Sequence, residues 1–198
     1  MAQIVLTLAV LGTLIALVAS IFIDAYNSLV KLRNRYENAF AQIDVQLRRR
    51  HDLIPNLLEA VKGYMKHERE TLDAIIEARN AAVTATSQAS QDPGDPAAMQ
   101  TLGNAEAVLT GSLGRLFALA EAYPELKADQ NMAQLMEELR STENKIAFAR
   151  QAFNDGVTLY NTKREVFPSN IIASLFNFRP AQLLQETDPD VKNAPTIG

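Results

Sequence analysis

From Ile4 to Ile23 the chain reads IVLTLAVLGTLIALVASIFI, twenty residues without a charge. As a helix, about twenty apolar residues cross a bilayer hydrocarbon core of ~30 Å. Thr7, Gly12, Thr13 and Ser20 fit there, because small groups and hydroxyls settle against backbone or a neighbouring helix. The competing reading is a cleaved signal sequence, which wants a basic leader and a shorter apolar core. Met1-Ala2-Gln3 carries no side-chain charge, so residues 1–23 are expected to form a retained anchor bounded by Ile4 and Ile23. Lys31, Arg33 and Arg35 come after the run and no basic side chain precedes it. The positive-inside tendency then puts the N-terminus outside and the rest of the chain in the cytoplasm. The absence of cysteine suits a reducing compartment and rules out anchoring through a lipid-modified cysteine.

Beyond the anchor the chain reads as helix almost throughout. Between Asp24 and His51 there is neither proline nor glycine, and Leu29, Leu32, Tyr36, Phe40, Ile43 and Leu47 recur three or four apart, one apolar stripe. Nothing interrupts the chain at residue 24, so the anchor is expected to continue out of the membrane for about 40 Å. A turn is expected near His51, with Asp52 as N-cap and Pro55 in the first turn of a second helix. That helix carries Leu53, Leu57, Leu58, Val61, Met65, Leu72, Ile75 and Ile76, and fades into the loop TATSQASQDPGDPAAM at 84–99. A third stripe (Met99, Leu102, Leu109, Leu113, Leu116, Phe117) stops at Tyr123-Pro124. A fourth (Met132, Leu135, Leu139, Ile146, Phe153, Val157, Tyr160) stops before Phe167-Pro168. The expected architecture is all-α: a transmembrane helix continuing into an up-down four-helix bundle over 24–166, then a short amphipathic capping segment and tail over 167–198. For FPSNIIASLFNF, residues 167–178, a cap or subunit contact is favoured over lipid contact, since Arg179 is nearly alone as a basic flank.

The chemistry-bearing side chains are sparse. His67-Glu68 opens like the helical zinc signature HExxH, but the second histidine position holds Thr71, and His51 lies sixteen residues upstream. Neither histidine has a glutamate three residues before it, as a di-iron bundle needs. No catalytic, cofactor-binding or metal-binding residue is therefore assigned, and His67-Glu68 reads as a solvated or partner-facing helix surface. Phosphate-binding glycine loops and nucleophile elbows are missing. The net charge of −4 argues against nucleic acid, and Arg48-Arg49-Arg50 reads as a solvated turn.

Three stretches resemble the LemA family, a group of bacterial membrane-anchored proteins. They are RRRHDLIPNLLEAVKGYMKHERETLDAIIEAR, EAYPELKADQNMAQLMEELRSTENKIAFARQAFNDGVTLYN and FPSNIIASLF. The shared pieces run in order from Asp52 through His67, Ala78, Tyr123, Glu143 and Tyr160 to Phe167. One departure is Phe153-Asn154, where the family pattern often has tyrosine before the asparagine. The resemblance spans about residues 24–180 and implies an inner-membrane anchor, a cytoplasmic four-helix bundle and no catalytic residues.

The functional expectation is a non-enzymatic scaffold that self-associates as a homo-oligomer and organises or shapes the membrane lipid around it. The alternative is a tethered adaptor that recruits an unidentified soluble protein. Within the bundle a polar layer is expected, because Glu68, Arg79, Glu106 and Arg150 fall on or beside apolar stripes, where an unpaired charge is costly. Counting from the loop near residue 90 pairs Arg79 with Glu106, and counting from a turn at His51 sets Glu68 level with Arg35.

Overall fold

The computed structural model describes residues 1–65 and 67–185; Lys66, and the part of the expected 167–198 capping segment and tail beyond residue 185, lie outside the described residues. All regular structure among the described residues is helical: α1 (Ala2–Lys62), α2 (Arg69–Ala89), α3 (Pro96–Ala120), α4 (Pro124–Ala128), α5 (Gln130–Glu165) and α6 (Ser169–Leu175). Among them, four helices are long and two are short.

The 61 residues of α1 make a rod of about 90 Å. Ile4 to Ile23 form its first third, where most side chains are exposed. It is the one described helix long and apolar enough to cross a membrane. The expected turn near His51 does not occur: α1 passes through Pro55 and ends at Gly63. Its stripe predicts this when traced further. From Tyr36 the buried positions step by four and three through Phe40, Ile43, Leu47, Arg50, Ile54, Leu57 and Val61, one continuous face.

α5 lies antiparallel along α1. Tyr64 meets Asp129 at one end of the pair, at 3.2 Å. Nearer the other end Tyr36 stacks edge-on against Phe153 and tilts against Tyr160. The backbones come close at Gly156, where a Cβ would sit 3.1 Å from Tyr36 Cβ. α2 and α3 form a hairpin, and Asp95 starts α3 by accepting from Ala98 N at 2.9 Å, ahead of Pro96. Asp129 starts α5 likewise, accepting from Met132 N at 3.0 Å. That capping bond holds the Asp129 carboxyl below its usual pKa.

After α5 the chain turns through α6 and runs back as an extended strap. Asn161 bonds both backbone groups of Ala181, and Asn154 both of Leu184. The two asparagines are two helical turns apart, about 10 Å, which three extended residues also span. Gln182 N donates to Gly94 O at 2.8 Å, so the strap ties the α2–α3 loop to α5.

The core forms two apolar clusters. One gathers Leu29, Tyr36, Phe40, Leu102, Phe153 and Tyr160 with the strap residues Phe178, Ala181 and Leu184. The other gathers Ile54, Leu57, Ile75, Leu109, Leu116 and Leu139. Between them lie Arg50 and His51, each 2% exposed.

Candidate functional site

The layer between the clusters is built from adjacent residues of α1 and their partners on three helices. Arg50 Nη1 donates to Glu143 Oε1 of α5 at 2.5 Å and reaches Thr110 Oγ1 of α3 at 3.4 Å; its Nη2 donates to Glu106 Oε2. Glu106 and Thr110 stand one turn apart on α3 and so share a face. His51, the next residue of α1, lies with Nε2 2.9 Å from Glu106 Oε1. The two Glu106 oxygens thus bind two consecutive side chains of α1. Burying a guanidinium is tolerable only when its charge and donors are matched, and here two carboxylates match it. Among the donors of Arg50 only Nε lacks a partner.

Arg79 does not pair with Glu106. Its Nε donates to the backbone carbonyl of His51 at 2.8 Å. The reason lies in α1. In an α-helix the carbonyl of residue 51 receives the N–H of residue 55, and residue 55 is proline, which has none. Arg79 supplies from α2 the hydrogen bond that Pro55 cannot give, so one side chain explains both why the helix survives its proline and why the expected ion pair is replaced. Arg79 and Glu106 do meet the same residue, His51, by its backbone and its ring.

The other expected positions separate. Arg35 is exposed on α1, 27 residues or about 40 Å before its end, whereas Glu68 is the N-cap residue of α2, just beyond that end, with no side-chain capping bond. The level pairing of the two assumed the turn at His51 and falls with it. His67 is exposed in the connection before α2, off any helix. Arg150 lines a cavity of about 310 Å³ beside the polar layer, with Arg50, Glu106, Thr110, Glu143 and Leu184. Arg50, read from its triplet as part of a solvated turn, is instead the centre of the layer. The missed signal was its place on the four-three stripe.

A second groove of about 670 Å³ runs between α3 and α5 toward α4, lined by Leu113, Phe117, Met132, Met136 and Leu139 with Glu143 at its edge. No group of three or more His, Cys, Asp or Glu among the described residues is placed to hold a metal ion. Within the polar layer the two Nη groups of Arg50 and the ring Nε2 of His51 are taken up by Glu106 and Glu143. The layer joins α1, α3 and α5 at one level of the helix packing.

The chain is similar to the magnetosome protein MamQ of Magnetospirillum gryphiswaldense, 25% identical over 202 residues that cover 93% of this chain and 72% of that one. Magnetosome protein MamQ 1 of Paramagnetospirillum magneticum is 23% identical over 189 residues, 88% of this chain and 69% of its own. Protein LemA of Metamycoplasma hominis is 24% identical over 168 residues, 85% and 72% respectively. The model of the LemA family matches residues 39–198. That match takes in the polar layer, the Pro55–Arg79 contact and the strap asparagines, and the chain belongs to the LemA family.

Proposed function

We propose that this protein is a non-enzymatic scaffold, anchored in the bacterial inner membrane by Ile4–Ile23, that self-associates and organises or shapes the bilayer around it. The N-terminus faces outward, and α1, α2, α3 and α5 act as an up-down four-helix bundle in the cytoplasm. The observation that carries this reading is the continuity of α1: the apolar span and the helix on which α5 packs are one unbroken element. A load on the bundle is therefore transmitted to the span without a flexible joint. Copies packed side by side would impose their spacing and tilt on the membrane. Because it joins α1, α3 and α5, the polar layer acts in this reading as a register device, with no cofactor and no role in binding nucleic acid.

A second reading is a tethered adaptor, favoured by the apolar groove between α3 and α5, whose methionines suit a helical segment of a soluble partner. The particle mass of the full chain after extraction in mild detergent separates the two. The scaffold predicts a discrete multiple of the chain mass, whereas a single chain with a co-purifying soluble protein supports the adaptor.

A further inference from the structure

We infer that α6 is a second, peripheral membrane contact, seated in the interfacial zone of the same bilayer that α1 crosses. The inference rests on the reading of Ile4–Ile23 as a span. One side of α6 belongs to the core: Ile172 and Ala173 are buried in the cluster that holds Ala25 and Leu29. Its remaining apolar side chains and the phenylalanines flanking it are bare, with Leu175 71% and Ile171 45% exposed on α6 and Phe167 78% and Phe176 55% exposed at its two ends.

Its height relative to the span is fixed by direct contacts. The ring of Phe176 lies 4.9 Å from that of Tyr26, edge-on. Tyr26 is three residues, about 4.5 Å of helix rise, beyond the end of the apolar run. Phe22, within the run, packs against the same core cluster as Ile172. The exposed face of α6 thus continues the exposed apolar surface of α1 at the depth where aromatic side chains gather at a bilayer boundary. Lipid is the occupant this continuity favours.

The charges around α6 agree. Arg164 and Arg179 line one recess beside it with Asn170, Ser174, Asn177 and Glu165, whose carboxylate pairs with Arg164 at 3.1 Å. Arg33 lies 5.4 Å over the ring of Phe178. A short apolar face bordered by Arg33, Arg179 and the Arg164–Glu165 pair matches an interface where acyl chains meet anionic headgroups. Arg164 and Arg179 flank this segment in the sequence, and the fold brings Arg33 to it.

The chain has no tryptophan, so a single introduced indole reports one position. The full chain would be reconstituted in phosphatidylcholine–phosphatidylglycerol vesicles with bromine placed high on the acyl chain or near its terminal methyl. Leu175→Trp and Phe167→Trp test α6, Leu14→Trp the middle of the span, and Phe148→Trp a distant exposed site on α5. The expected result is strong quenching of both α6 indoles by the shallow bromines and weak quenching by the deep ones. Leu14→Trp should show the reverse order, and Phe148→Trp neither. If both α6 indoles resemble Phe148→Trp while Leu14→Trp is quenched, the proposal is overturned and the span stands, including the case in which a second copy covers α6. If Leu14→Trp is also unquenched, the span fails and the proposal with it.

Discussion

Replacing Arg79 by methionine removes the donor that serves the His51 carbonyl, 2.8 Å away. That carbonyl belongs to a residue 2% exposed, and Pro55 denies it the helical partner. A buried acceptor left without a partner costs about 1–3 kcal/mol, and methionine keeps most of the apolar stem, so this sets the expected loss for Arg79→Met. Pro55→Ala restores an N–H at position 55 and with it the backbone bond to His51. In that background Arg79→Met should cost well under half as much, giving a coupling energy of about 1 kcal/mol or more between side chains on different helices. Thermal unfolding of the full chain in mild detergent, monitored by circular dichroism, reads the cycle, since 1 kcal/mol moves the midpoint of a chain this long by about 2–4 °C. If the two substitutions add without coupling, Arg79 is not compensating for the proline and α1 persists for another reason.

Arg50→Ala leaves Glu106 and Glu143 facing an empty site and should cost about 3–5 kcal/mol, whereas Arg50→Met with Glu106→Leu should recover much of that, both by denaturant titration. Gly156→Ala forces a Cβ to within 3.2 Å of Tyr36 Cα and should lose about 1–3 kcal/mol; Gly111→Ala, with nothing within 4 Å, should gain up to about 1 kcal/mol from helix propensity. Asn161→Ala removes two bonds to Ala181 and should speed amide exchange at Ala181 and at Gln182. Burial raises the Tyr36 and Tyr160 pKa values above the ordinary 10.0, so both phenols stay protonated when folded after the unfolded chain has begun to ionise. Stability should be intact below about pH 10 and fall as pH rises past it, less steeply in Tyr36→Phe.

Apolar periodicity found the helices because each buries one face, and it failed where a polar contact overruled local signals. Asp52 and Pro55 are good helix-start residues, and the expectation of a turn at His51 rests on them. They are outweighed by a stripe that continues to Val61 and by an arginine 24 residues after the proline, a contact visible only once α2 is folded back. Arg50 is hidden by its neighbours: Arg48 and Arg49 face outward, and three arginines together read as solvated. The motif pieces are better guides to contacts than to chemistry. Pro55 and Arg79 meet at one carbonyl, Glu143 joins the polar layer, and Asn161 holds the strap. Phe153, where the family pattern often has tyrosine, is fully buried edge-on to Tyr36 and Phe40, while Asn154 beside it keeps its bonds to Leu184. The strap shows no periodicity, because its order comes from side chains of α5 and from Gly94.

The rigid continuity of span and bundle is tested most directly by a distance along α1. With no native cysteine, spin labels on Val18→Cys and Val45→Cys report a single pair. Both positions are exposed, one in the apolar run and one beyond it. Their separation of 27 residues corresponds to about 40 Å in an unbroken helix. Pulsed dipolar spectroscopy on the full chain in lipid, diluted with unlabelled protein, should give one narrow distribution near that distance. A broad distribution, or one centred well short of it, would mean that the helix breaks at the membrane surface and that the bundle does not transmit its arrangement to the bilayer.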